Sequence, residues 1–432
     1  MNKVLNPRST LHALRPSGYG TADVESLLSY FCRLAVSHAT SVALLARNVA
    51  DAMGSELREG FDWHERNLSG VGEAAQTWAS SLSAMTGVGN LDHLTLGMWR
   101  DVLAPTGLAA SSGGRWCPDC FEEDRLQGGS PYFRLAWDVG AVKACSKHGV
   151  RLEEVCPDCG RTGTRHRATY VVPGWCTHCC VFLGRHAKAP SLPVNSGEIW
   201  VADQVGQVLA AQASLNEPPQ RRRLQDAIRD LVARLDGGKG ALFAKRIEVS
   251  KGTVHYWTRG ETIPTMTACL RISANSGLPL MKLLTGDLTE WEVPGEIAQL
   301  DLDLGGRGGR ESRRELDWER IHRELQWFAR LPSPVSVAEV ARQLDLDARQ
   351  LYLKANAETR LLGERWKTYE KRRAEASHAK ARSYVEAACR SLRQEGRALN
   401  LREVQARVPR EVLGTVEHLF DMLKDIKLES GS

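Results

Sequence analysis

Between Cys117 and Cys180 the chain reads Cys117-Pro-Asp-Cys120, then Cys145-Ser-Lys-His148, Cys156-Pro-Asp-Cys159 and Cys176-Thr-His-Cys179-Cys180. In every pair two donors are separated by two residues. That gap lets a tight turn aim both side chains at one ion, and two such turns complete the tetrahedron that Zn²⁺ prefers. The chain has 11 cysteines, and in a reducing compartment such clustering points to metal rather than disulfides. The simplest partition is sequential, with Cys117, Cys120, Cys145 and His148 at a first site and Cys156, Cys159, Cys176 and Cys179 at a second. The cofactor expected is therefore Zn²⁺, two per chain. Spacing alone leaves a cross-braced pairing open, and it allows His178 or Cys180 to stand in for Cys179. Eight ligands filling two sites leave no open position for water, so the metal is expected to be structural. Cys32, Cys269 and Cys389 lie apart from this region and read as small buried hydrophobes.

The composition around this region is that of an ordinary folded protein. The chain has 432 residues, 42% hydrophobic and 25% charged, which predicts two to four domains and excludes a disordered, collagen-like or coiled-coil chain. No apolar run is long enough to span a bilayer, and Met1 to Thr10 lacks the apolar core of a signal peptide. A soluble, cytoplasmic protein with no membrane partner is expected.

The fold class expected is mainly α and multidomain. Residues 1–110 read as an N-terminal helical domain, because Leu27, Leu28, Phe31, Leu34 and Ala35 fall on one helical stripe, with further helices around Ser41–Ala52 and Leu94–Leu103. Residues 111–190 hold two small zinc-ribbon or zinc-finger modules, entered through the break Ser111-Ser-Gly-Gly114 and left near Pro190. Residues 199–235 read as connecting helices, broken at Glu217-Pro-Pro219, and 237–290 as a repressor-like helix-turn-helix domain. After a glycine-rich linker at Asp301–Arg310, residues 316–432 read as a C-terminal helical domain with further helix-turn-helix units at Ser336–Arg360 and near Asn400.

The helix-turn-helix reading rests on the stretch from Ala241 to Glu261. Leu242, Phe243 and Ile247 form an apolar face on a first helix, Val249–Gly252 the turn, and Thr253–Arg259 a second helix with Val254 and Trp257 pointing inward. That leaves Lys251, Thr253, His255, Tyr256 and Arg259 outward, where side chains of a second helix reach base edges and phosphates, with Lys245 and Arg246 adding positive field. Charge agrees, since Lys239–Lys282 carries seven basic residues against Glu248 and Glu261 while the whole chain is only +5. Gly160–Gly197 holds no Asp or Glu at all, but does hold Arg161, Arg165, Arg167, Arg185 and Lys188. Local positive fields of this kind suit polyanions, and with the helix-turn-helix the partner expected is double-stranded DNA. No phosphate-binding G-x-x-x-x-G-K-[ST], no G-x-G-x-x-G, no G-x-S-x-G and no H-E-x-x-H occurs, and the nearest lookalike, His64-Glu65, lacks the second histidine. The chain is expected to be non-catalytic.

Glu25-Ser-Leu-Leu-Ser-Tyr-Phe-Cys-Arg-Leu-Ala35, Trp116-Cys-Pro-Asp-Cys-Phe-Glu-Glu-Asp124, Tyr132-Phe-Arg-Leu-Ala-Trp137, Cys145-x2-His148 and Leu152-x3-Cys-Pro-Asp-Cys-Gly160 together resemble the TniQ family. The resemblance covers residues 1 to about 190, and the rest is similar only in carrying helix-turn-helix modules like those of the related TnsD proteins. It implies a non-catalytic target-site selection protein of a multi-component DNA transposon, cytoplasmic in a bacterium and nucleoid-associated when bound to DNA. The partners it implies are the AAA+ ATPase that regulates transposition and, in some members, the transposase or a CRISPR RNA-guided complex. A homodimer is compatible with a helix-turn-helix, although nothing here requires one. Two other readings are carried beside it: a zinc-containing helix-turn-helix transcriptional regulator, and a DNA-cleaving enzyme that uses the zinc modules as scaffold.

Overall fold

Ser26 starts the first helix. Its hydroxyl accepts the N–H of Ser29 and so satisfies one of the bare donors of α1 (Leu27–Ser37). Ser41 caps α2 (Val42–Ala52) in the same way, and α3 (Glu73–Thr86) ends on Gly87 in the left-handed region. The residues described in this computed structural model are 9–54, 68–110, 114–162, 170–184, 193–295, 316–344, 346–414, 416 and 419–429. The expected break at Ser111–Gly113, the lookalike at His64-Glu65, the linker at 301–310, Pro190 and Arg165, Arg167, Arg185 and Lys188 lie outside them.

The chain divides into two compact units, Met1–Gly305 with Pro409–Leu419, and Gly306–Val408 with Phe420–Ser432. The described residues hold 17 α-helices and, for β-structure, five isolated antiparallel bridges, so the mainly α expectation holds. Among the described residues no single helix is long and apolar enough to cross a membrane.

In the first unit α1, α2 and α3 pack together. The helix expected at Leu94–Leu103 is instead a pair of 3-10 turns, Leu91–Leu94 and Gly97–Trp99. Between them Thr95 is extended and its hydroxyl accepts the N–H of Gly97, which lets Leu94, Leu96 and Trp99 all reach the core. A regular helix would point one of the three away. Beyond α4 (Pro118–Leu126) and the cysteine region come α5 (Ser196–Ala211), α6 (Arg221–Asp236), α7 (Gly240–Arg246), α8 (Lys251–Arg259), α9 (Met266–Ser276) and α10 (Leu280–Thr285). One continuous apolar core runs from Val24 through the buried cysteines to Trp291.

Two clasps join the early and late parts of this core. Glu25 is fully buried and accepts from the N–H of Ser17, the hydroxyl of Ser29 and the guanidinium of Arg33, the last at 2.5 Å. Ser29 in turn accepts the N–H of Phe133, while Ser26 and Leu135 bond the chain on either side. The Glu-Ser-Leu-x-Ser-x-x-x-Arg spacing of the sequence is thus a hydrogen-bond lock between the start of α1 and the segment at Phe133–Leu135. The second clasp is the pair Arg151–Glu198 at 2.6 Å, in which Glu198 also completes the capping box of α5 with Asn195.

In the second unit α11 (Trp318–Arg330), α12 (Val337–Gln343) and α13 (Ala348–Lys354) pack on the first part of α14 (Asn356–Gln394). Their shared core is Leu325, Phe328, Val340, Leu351 and Leu362. Farther along, α14 packs on α15 (Leu401–Arg407), whose first turn is capped by Asn400. The next helix, α16 (Arg410–Leu413), belongs to the first unit, and α17 (Leu419–Glu429) follows it.

Candidate metal centres and nucleic-acid interface

Three of the four ligand pairs sit on the same turn. In Cys145–Gly149, Cys156–Gly160 and Cys176–Cys180 the N–H of the fifth residue bonds the carbonyl of the first at 2.9 Å. The first residue's N–H then bonds the carbonyl of the sixth, Val150, Arg161 or Val181. The fifth residue is left-handed in all three, with φ of 64° at Gly149, 68° at Gly160 and 62° at Cys180. Glycine takes that conformation without strain, so Cys180 fills a glycine position, which explains why it does not serve as a donor. The fourth pair is built differently. Cys117 is the N-cap of α4, Pro118 its first residue and Cys120 lies in its first turn, where proline's missing N–H costs nothing.

These turns bring the donors into two groups. Cys117, Cys120, Cys145 and His148 lie within 4.8 Å of one another, and so do Cys156, Cys159, Cys176 and Cys179. The geometry follows the sequential partition, not the cross-braced one. In the first group His148 Nδ1 is 3.5, 3.3 and 3.6 Å from the sulfurs of Cys117, Cys120 and Cys145. In the second, Cys156–Cys179 and Cys159–Cys176 are each 3.7 Å apart. A tetrahedral ion with Zn–S near 2.3 Å and Zn–N near 2.0 Å requires S–S edges of about 3.8 Å and S–N edges of about 3.5 Å. The donors are therefore spaced for a tetrahedral ion, and both groups could hold one. Hydrogen bonds from neighbouring thiols, Cys117 first and Cys159 first, hold the Cys145 and Cys156 sulfurs well below the ordinary thiol value. His178 does not join the second group, since its Nδ1 is 2.8 Å from Arg161. Cys32, Cys269 and Cys389 are buried.

The predicted nucleic-acid residues fall on α7, α8 and the turn between them. The turn comes earlier than apolar spacing suggests. Helix α7 stops at Arg246, Glu248 is left-handed at φ 57°, and Ser250 caps α8 by accepting the N–H of Thr253, so the helix begins at Lys251. A cap of this kind is invisible to a reading based on hydrophobic period. Val254 and Trp257 are buried as expected, whereas Leu242, expected in the apolar face, is 49% exposed. Lys245, Lys251, His255, Tyr256 and Arg259 are exposed. Arg246 forks onto Asp236 at 3.0 and 2.8 Å, Arg259 pairs with Glu261 at 3.0 Å, and the Thr253 hydroxyl is bonded to Ser250. Helix α6, read from sequence as a connector, packs on α7, α8 and α10. Gln225 and Arg229 of α6 donate to the carbonyl of Thr258, at the end of α8.

No curated protein matches the chain. Residues 16–152 match the family model described as TniQ. The match takes in the Glu25 lock and the whole first donor group, but it stops before Cys156, short of the residue near 190 to which the sequence resemblance reaches. Over residues 16–152 the chain is similar to the TniQ family.

Proposed function

We propose that the chain is a non-catalytic target-site selection protein of a multi-component DNA transposon. It would bind duplex DNA through α8 and recruit the AAA+ ATPase that regulates transposition. The single observation that carries this reading is the TniQ match over residues 16–152, which associates the chain with transposition. Three features support the finer reading. Both donor groups are complete sets of four, largely buried, so Zn²⁺ bound there would staple the fold and have no position left for a substrate water. Helix α8 is held from behind by Val254 and Trp257 while Lys251, His255 and Tyr256 stay exposed, which is how a helix that enters the major groove is presented. The stretch Lys239–Lys282, which contains α8, carries a surplus of positive charge. A transposase or a CRISPR RNA-guided complex is the further partner the family relation suggests.

Co-purification tests the proposal. Tagged chain co-expressed with an AAA+ ATPase encoded in the same transposon, where there is one, should retain that ATPase on the tag. Binding to DNA with no retention of the ATPase would favour the transcriptional regulator, and Mg²⁺-dependent nicking of supercoiled DNA by the pure chain would contradict the non-catalytic role.

A further inference from the structure

His148 turns Nδ1 to the three sulfurs of the first donor group, so its ring proton must sit on Nε2 for Nδ1 to bind an ion. Nε2 lies 3.6 Å from Oε2 of Glu123. Glu123 stands one turn beyond Cys120 on α4, so one helix supplies a sulfur at its N-cap, a second in its first turn and the carboxylate in the next. Oε1 of Glu123 accepts from Nε2 of Gln127 at 3.1 Å, which sets the plane of the carboxylate. Oε2 is buried, and its ion-pair partner is Lys147, whose Nζ is 2.5 Å away. Three thiolates and an imidazole around a divalent ion leave a net negative centre, and the ammonium of Lys147 makes a further carboxylate tolerable beside it.

We propose that Glu123 is a positioning residue of the first metal centre. With an ion bound, its Oε2, which stands 3.6 Å from Nε2 in this structure, closes to hydrogen-bond distance and takes the Nε2–H of His148, which selects the tautomer that leaves Nδ1 bare and holds the ring against Cys117, Cys120 and Cys145. The proposal rests on the reading of that donor group as a metal site. Outer partners of this kind are typically worth a factor of 10–100 in metal affinity.

The test is Co²⁺ titration of the full chain against a competing chelator. The absorption of a three-sulfur, one-nitrogen centre is distinguishable from that of an all-sulfur one, so the two centres are followed separately. Glu123→Ala should weaken the first centre about tenfold or more and leave the second unchanged. Glu123→Gln keeps an acceptor and should recover most of that affinity, and Lys147→Ala should leave the first centre in place. In a His148→Cys background there is no ring to hold, and Glu123→Ala should then have no effect on the first centre. A first-centre affinity in Glu123→Ala within about twofold of the parent chain, or an equal loss in the His148→Cys background, overturns the role. A parent chain that shows only the all-sulfur centre overturns the reading of the first donor group as a metal site, and with it this proposal.

Discussion

Glu25 shows how a short sequence pattern turns into long-range structure. Burial pushes its carboxyl up from the ordinary value while Arg33 pulls it back, and the oxygens gather donors from Ser17, Ser29 and Arg33. Removing one member of such a buried pair strands the other, a loss of about 3 kcal/mol. Glu25→Ala should therefore lower stability by about that much in denaturant unfolding, and a change below about 1 kcal/mol would contradict the lock. Lys251 belongs to the same scale but to function. It is exposed at the start of α8, and if it meets a phosphate, Lys251→Ala should weaken binding to every duplex and flatten the slope of log K against log salt by about 1. An unchanged slope rejects its role. The Glu25 lock could not be read from sequence, because its partner Phe133 is 104 residues from Ser29 and nothing local in Tyr132-Phe-Arg-Leu135 announces the contact.

The elements separate what local spacing shows from what it hides. The ligand pairs were legible because two donors and the turn that aims them lie within five residues. The identity of the fifth residue was not. Cys180 looked like a spare ligand, and only its φ of 62° shows that it fills a place where the other turns use glycine. Cys180→Gly should therefore leave two metal ions per chain, whereas Cys179→Ser should lose one, as counted by metal analysis of purified protein. Loss of an ion in Cys180→Gly would return Cys180 to the ligand set. The burial of Val254 and Trp257 was legible from their spacing of three, but the exposure of Leu242 was not, since a helix as short as Gly240–Arg246 does not define a face by period. The connecting helices read from sequence end at 235, just before Gly237 and Gly238. These glycines form a tight left-handed turn, with φ of 58° and 79°, that folds α7 back onto α6.

At the scale of the first unit, the candidate metal donors are part of the core. Cys117, Cys120, Cys145, Cys156, Cys159 and Cys176 belong to the same apolar cluster as Leu27, Val205 and Phe243. Arg151, just past the first Cys-His turn, holds Glu198 at the start of α5, and Gln204 of α5 accepts the N–H of Leu280 at the start of α10. Stripping the metal with a chelator should therefore lower the melting temperature of the unit that carries α8 and weaken DNA binding with it, because folding and metal binding are coupled where the ligands lie in the core. Melting and binding that ignore the chelator would show that the donor groups are not metal staples. The function proposed for this chain is that it takes part in choosing a DNA target and reads it through α8. Selection of bound duplexes from a random pool by the purified chain at near-physiological salt, with a Lys251/His255/Tyr256 triple-alanine variant alongside, tests it most directly. The account predicts one enriched motif that the variant loses; a pool left unenriched, or a motif the variant retains, would contradict it.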